Sequence, residues 1–350
     1  MEFTIGTEGR NEYYDFELGL AAQKLVTEIV PIKPGKQVLI TGDTGSDARV
    51  IQAVARATYA IGGIPTVIWH PMLPGTMQEP PTPVLKAVTG SNVWFDFAVA
   101  YLQYGPAYFA ALESNSIYVA LTGMDVDMLV RTVGRPKSQP LIDMATYLYR
   151  ESQKADTIRI ATPAGTDFTV KVDHDFDDPP WPPEGKSGGY SQMLTGQSWF
   201  NVVRESTEGV LVFDGVIWPP KELGLLHDPV RLTFEKGFIT KIDGGREARF
   251  FSHWLESFHH PNVYLLDHAC YGFNPGVLKL SGRILEDERL FGCMQFGIGA
   301  TPKHYGSPAH TDGMVVDATV WWDGVLIEEA GHYVHPDLVK FCTEMGAPGY

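Results

Sequence analysis

Hydrophobic positions recur at helical spacing through residues 12–30 (Phe16, Leu18, Leu20, Leu25, Ile29), and Pro31 and Pro34 predict where that helix ends. The period then shortens. Gln37-Val-Leu-Ile-Thr41 has the apolar run of a buried strand, Gly42-Asp-Thr-Gly-Ser-Asp47 reads as a turn, and a helix follows from Asp47 to about Ile61, closed by Gly62-Gly63. A second strand, Pro65–Trp69, completes a βαβ unit. Runs at Val93–Ala100 and Ser116–Leu121, with a helical segment Pro106–Glu113 between them, extend the alternation and predict a parallel sheet with flanking helices.

Near residue 155 the pattern becomes antiparallel. Thr157–Thr162 and Asp167–Val172 alternate around Pro163-Ala-Gly165, which is hairpin chemistry. Val210–Val216 reads as a strand, and Val230–Phe234 pairs with Phe238–Ile242 across Glu235-Lys-Gly237. A helix over Arg246–His259, strands at Asn262–Asp267 and Gly292–Ile298, and a hairpin Met314–Trp322 with Val325–Glu329 follow. The expected architecture is an α/β N-terminal domain, residues 1–155, and an α+β C-terminal domain, residues 156–350. Asp177–Gly189 is too rich in proline and glycine for regular structure and reads as a connector or a lid.

Composition narrows the function. A net charge of −15 over 350 residues excludes a phosphate-binding surface for nucleic acid, and the basic stretch Arg131–Lys137 is short and broken by Gly134 and Pro136. No stretch approaches a membrane span, and the first ten residues lack the basic start and apolar core of a leader. Three cysteines without paired spacing fit free thiols in a reducing compartment, so a cytoplasmic protein is expected.

Candidate chemistry concentrates in Ser307–Gly324. His310 and Asp312 stand two apart at the mouth of a β-branched run and therefore share one face of a strand. Imidazole and carboxylate together suit a divalent first-row metal. A second His-x-Asp, His335-Pro-Asp337, instead matches the first turn of a terminal helix. Gly42–Asp47 lacks both phosphate-loop patterns, and Gly185-Lys186-Ser187 follows prolines rather than a strand, so neither is read as a phosphate site.

From about Ser206 to Asp323 the order of motifs resembles the aminopeptidase T type of metallo-aminopeptidase and, more closely, the 2,5-dihydroxypyridine 5,6-dioxygenases. The matching pieces are Glu208–Asp214, Glu235–Gly245, Val263–Pro275 with its Asp-His-Ala-Cys core, and His310-Thr-Asp312. The resemblance implies two domains with the metal in the second. The aminopeptidases use two metals, and this chain departs from their ligands: Gln197 lies at one glutamate position, His268 at the other, and Gln295 at a histidine position. What survives is His268, His310 and Asp312, the set that suits one non-haem Fe(II) per chain with positions open for substrate and dioxygen.

The resemblance therefore implies an Fe(II)-dependent, extradiol-type ring-cleaving dioxygenase. Its substrate would be a hydroxylated, dihydroxypyridine-like ring, with both atoms of O2 entering the product. Candidate bases are His304, Tyr305, Tyr190 and Glu184. Where a first-domain histidine is expected this chain has Tyr101–Pro106, so Gln103 or Tyr104 would face the substrate and the ring would differ from 2,5-dihydroxypyridine. Trp181, Trp199 and Phe200 are candidates to stack on it; Arg204, Lys186 and Arg246 to meet a carboxylate; Gln197 to line the site. Self-association follows by family analogy alone. The competing readings are an aminopeptidase T-like metallopeptidase and a non-catalytic binding protein.

Overall fold

A computed structural model describes residues 14–175, 189–192, 194–299 and 306–350. The chain divides into two compact units, Met1–Ser138 with Ser187–Leu194, and Gln139–Lys186 with Thr195–Tyr350.

In the first unit, strands β1 (Gln37–Asp43), β2 (Ile64–His70), β3 (Val93–Asp96) and β4 (Ile117–Ala120) form a parallel sheet. A later strand, β7 (Tyr190–Gln192), adds in parallel beside β4, giving the order β2-β1-β3-β4-β7. Helices α1 (Asp15–Lys24), α2 (Ala48–Ala60), α3 (Thr82–Val88), α4 (Pro106–Glu113) and α5 (Val126–Leu129) accompany it. The turn between β1 and α2 is closed from within. Asp43 Oδ1 accepts from Gly45 N and Ser46 Oγ, Oδ2 accepts from Ala100 N, and Asp47 caps α2 through Arg49 N. That pairing supports a structural turn over a phosphate cradle. Gly62, at φ 84°, ends α2 as its position predicts.

The second unit stacks two antiparallel sheets. One has eight strands, ordered β13-β12-β9-β6-β5-β17-β18-β19: β5 (Thr157–Ala161), β6 (Asp167–Val172), β9 (Val202–Phe213), β12 (Val230–Glu235), β13 (Phe238–Gly244), β17 (Thr319–Trp322), β18 (Val325–Glu329) and β19 (His332–Tyr333). The other runs β11-β10-β16-β15-β14-β8: β8 (Gln197–Phe200), β10 (Val216–Trp218), β11 (Gly224–Leu225), β14 (Leu266–Gly272), β15 (Cys293–Ile298) and β16 (Thr311–Val315). Phe168 meets both Phe234 and Phe296 edge-on between them, and Phe213, Tyr271 and Phe200 join that core. Helix α6 (Ser138–Ser152) packs Leu141, Met144, Ala145 and Leu148 into the same core, alongside Phe251 of α7 (Arg246–Glu256) and Leu338 of the terminal helix α9 (Pro336–Met345); a short α8 spans Ile284–Asp287. The unit thus takes up α6, ahead of the pattern change near residue 155.

Three expected strands are redrawn. Pro261–Tyr264 is a 3-10 turn capped by His260, so the strand starts at Leu266 and carries His268 inside it. The run through Met314–Trp322 breaks at Asp317, φ 50°, and its halves β16 and β17 join different sheets. The run through Val210–Val216 breaks likewise at Asp214-Gly215, with Asp214 Oδ1 accepting from Val316 N. His335 and Asp337 open α9, as expected, and Asp337 accepts from Tyr147 Oη.

Candidate metal centre

Alternation along β14, β15 and β16 sorts side chains into two sets. Ala269, Tyr271, Phe296 and Ile298 face the core; His268, Cys270, Gln295, Gly297 and Asp312 share the other face. In one row across the sheet, His268 pairs with Gly297 and Gly297 with Asp312. The His268 ring lies over Gly297, where an added Cβ would stand 2.3 Å from Cε1 and 2.8 Å from Nε2. Only glycine leaves that path open, and through it the imidazole reaches two strands across: His268 Nε2 comes 3.4 Å from Asp312 Oδ1. His310, just ahead of β16, brings its Nε2 to 3.3 Å from the same oxygen, and the two rings stack at 5.3 Å.

The opposite nitrogens are tied down. His310 Nδ1 donates to Gly299 O at 2.8 Å, and His268 Nδ1 donates to Asp267 Oδ2 at 3.1 Å. Asp267 comes within reach because the pairing slips between Leu266 and His268, a bulge that frees it from strict alternation. Asp267, His268 and His310 each offer one ligand atom within 4.8 Å of the others. Asp267 nevertheless meets Nδ1 atoms, whereas Asp312 meets both Nε2 atoms. Imidazoles anchored through Nδ1–H, with Nε2 lone pairs turned toward a carboxylate, form the usual inner and outer shells of a metal site. By donor chemistry the cluster of Asp267, His268, His310 and Asp312 fits a divalent first-row cation.

Charge is concentrated here. Burial opposes ionisation of Asp267, but the His268 hydrogen bond and the charges of His268, His310 and Arg204 outweigh it and hold the carboxyl at about 2. Burial opposes protonation of His268, and Asp267 and Asp312 outweigh it, raising the imidazole to about 10; His310 is raised by the same carboxylates. Gln295 Nε2 lies 3.1 Å from His268 Nε2. An imidazole raised this far is protonated near neutral pH, and a cation at Nε2 would take the place of that proton while Nδ1–H keeps Asp267.

The other expected residues divide. Gln197 and Trp199 lie on the face of β8 that Cys270 and Gly272 also present, and Trp199 meets Tyr149 edge-on. Phe200, expected to stack on a ring, points the other way: it is 1% exposed and packs on Tyr271, because alternation along β8 turns it inward. Arg204, expected to meet a substrate carboxylate, is drawn to Asp267 Oδ1 at 3.3 Å. Arg246 is exposed at the start of α7. In the first unit Gln103 is buried, Tyr104 takes φ 64° among Tyr101 and Tyr108, and Tyr190 is half-buried on its strand. Glu184, Lys186, Trp181, His304 and Tyr305 lie outside the described residues.

Comparison with known proteins bears directly on this centre. A family profile described as NicX, 2,5-dihydroxypyridine 5,6-dioxygenase, matches residues 20–335, which include every residue of the cluster. The chain belongs to this family. A curated 2,5-dihydroxypyridine 5,6-dioxygenase of Pseudomonas putida KT2440 is 25% identical over 205 residues, 53% of this chain, and the match spans 56% of that relative. The solved structure of 2,5-dihydroxypyridine dioxygenase from the same organism superposes with a TM-score of 0.73 at 18% identity, over 95% of this chain and 99% of that one. Wild-type AmpT from Thermus thermophilus, an aminopeptidase T, gives 0.66 at 15% identity, over 92% and 100%. Both resemblances expected from the motifs are therefore found, and at these identities the structural likeness speaks for the fold.

Beside the histidine–carboxylate cluster, this member of the dihydroxypyridine dioxygenase family carries a buried polar chain that the motifs did not reveal. Arg289, wholly buried, donates to Glu288 Oε2 at 2.5 Å, to Leu285 O at 2.8 Å and to Gln197 Oε1 at 2.7 Å. Gln197 Nε2 donates to Glu288 Oε2 and to Gln295 Oε1, both at 3.3 Å. Gln295 Nε2 in turn bonds Asp312 Oδ1 and approaches His268. Burial raises the Glu288 carboxyl to about 7, against the pull of Arg289. The sequence signal was slight: an arginine in Glu286–Leu290 looks like any charged turn.

Proposed function

We propose that the chain is a ring-cleaving dioxygenase that binds one Fe(II) through His268 Nε2, His310 Nε2 and Asp312, and opens a hydroxylated N-heterocyclic ring with both atoms of O2. The observation that carries this reading is the convergence of two Nδ1-anchored imidazoles on one buried carboxylate, in a chain whose family is described by that activity. Two histidines and one carboxylate leave coordination positions open, which a chelating ring and dioxygen need together. Ferrous iron, when bound, supplies the one-electron chemistry that triplet dioxygen requires of a closed-shell ring.

The protein's share is positioning and desolvation. Asp267 and Gly299 O fix the imidazole orientations, and Gly297 leaves the gap that His268 spans. Gln197 and Trp199, on the same face, are the described candidates to meet the ring. A peptidase of the two-metal kind needs carboxylates bridging a second cation. Gln197 and Gln295 offer neutral amides there, and Glu288 is engaged by Arg289, which supports the dioxygenase over the peptidase.

The test is oxygen uptake by iron-loaded protein on a panel of mono- and dihydroxypyridines under labelled dioxygen. Two labelled atoms per opened product are expected on at least one ring. Peptide hydrolysis with no uptake would replace this reading with the aminopeptidase.

A further inference from the structure

Strand β2 (Ile64–His70) lies at the edge of the first unit's sheet, and among the described residues β1 is its one sheet partner. In a parallel ladder a residue turns both backbone groups to the same neighbour, and the next residue turns both away. Ile64 N donates to Lys36 O, so Thr66, Ile68 and His70 face β1 as well. Pro65, Val67 and Trp69 therefore present their backbone groups outward. The proline stands where a missing N–H costs the sheet nothing, and the outer edge offers two donors, Val67 N and Trp69 N, with three carbonyls.

Proteins commonly blunt such an edge with charge, lysine above all. This edge carries none. From Ala57 to Gln78 the sequence has no Asp, Glu, Lys or Arg, the longest such run in a chain where these residues make up 20%. The same run leaves apolar surface uncovered: Tyr59 is 75% exposed, Ile64 46%, Val67 40%, Trp69 46% and Met72 49%. Val67 and Trp69, two apart, share one face of the strand beside the outward groups. The run's one histidine, His70, is buried.

We propose that β2 is a docking edge for a second copy of this chain, two β2 strands pairing antiparallel about a two-fold axis to join their sheets. Geometry favours a copy, because an antiparallel edge is complementary to itself: each strand brings the donors that the other's carbonyls need. Charge favours it too. A chain of net charge −15 repels its own copy across most contacts, and an uncharged edge is where two copies meet without like charges facing each other. A strongly charged partner would find nothing here to pair with. With the axis perpendicular to the sheet, Val67 and Trp69 of both copies fall on one face, as aromatic and β-branched neighbours across strands. Pro65, lacking a donor, confines full pairing to the Val67–Trp69 half of the strand. The inference is independent of the reaction the second unit performs.

The experiment measures the mass of the full chain by analytical ultracentrifugation at roughly 100 µM, well above the Kd of an interface of standard size. Val67→Lys/Trp69→Lys is compared with Val325→Lys, which places the same charge at a 57% exposed site in the second unit. Native protein and Val325→Lys should both sediment as an even multiple of the chain, and the double variant at half that mass or less. The added lysines lessen the net negative charge, so a lost assembly reports the edge itself. Hydrogen exchange supplies a second readout. The amides of residues 67 and 69 should exchange about 10-fold faster in the double variant, while those of Thr66 and Ile68 stay protected because β1 still pairs with β2.

Native protein of single-chain mass would overturn the proposal, and so would a double variant of undiminished mass. Equal loss of mass in Val325→Lys would overturn it by making the effect one of charge alone. Rapid exchange at Val67 and Trp69 in the native assembly would overturn it without any variant, by placing the contact elsewhere.

Discussion

At the scale of single residues the centre separates groups of equal charge by the nitrogen they face. Asp312 faces Nε2 atoms and Asp267 faces Nδ1 atoms, so equal substitutions should have unequal effects. Asp312→Asn is expected to abolish metal retention. Asp267→Asn should weaken it by about 10- to 100-fold, as outer-shell partners do. Competition with a chelator of known affinity would measure both, and equal losses would put Asp267 in the inner shell. Spacing offered His310 and Asp312 only as candidates beside other His-x-Asp pairs, and the resemblance singled them out and added His268. Asp267 was not legible, because a bulge breaks the alternation on which such reading depends. Phe200 was misjudged for a related reason: aromatic character says nothing about which face of β8 it occupies.

At the scale of elements, two glycines on neighbouring strands should fail differently. Gly297 opens the path of the His268 ring, whereas an added Cβ at Gly313 would stand 2.2 Å from the Phe213 ring on the core side. Gly297→Ala is therefore expected to lose metal with little change in stability of the metal-free protein. Gly313→Ala should destabilise by about 1–3 kcal/mol, the range for overpacking. Denaturant midpoints and metal content, measured together, distinguish the two; metal retained in Gly297→Ala would contradict the cross-strand geometry. Most of the first unit's elements were legible because βαβ patterning and its caps are local. Helix α6 was missed, although Leu141, Met144, Ala145 and Leu148 stand at i, i+3, i+4 and i+7, because it lay in the stretch where the pattern was changing. The split of Met314–Trp322 between two sheets was not legible, since partner choice in antiparallel sheets is a long-range decision.

At the scale of the molecule, buried charge links stability to pH. Burial raises the Asp96 carboxyl to about 7, only partly offset by donors from Thr41, Ala98 N and Tyr118, and Asp43 adds to the rise. Folded Asp96 thus keeps a proton that the unfolded chain releases near pH 4. Stability from this group is full below about pH 4 and is lost as pH rises toward about 7. Denaturant midpoints of native protein should fall over that window relative to Asp96→Asn; parallel curves would contradict the assignment. For the chain as a whole, no helix among the described residues is long and apolar enough to cross a membrane. The family was readable from motif order, since ordered motifs record a fold even where single ligands have changed.

The central claim is a single cation held by His268, His310 and Asp312. Its most direct test is the metal content of protein purified without oxygen, beside its His310→Ala variant. The account predicts about one iron per chain in the native protein and almost none in the variant. Two metals per chain, or one metal unmoved by His310→Ala, would contradict it.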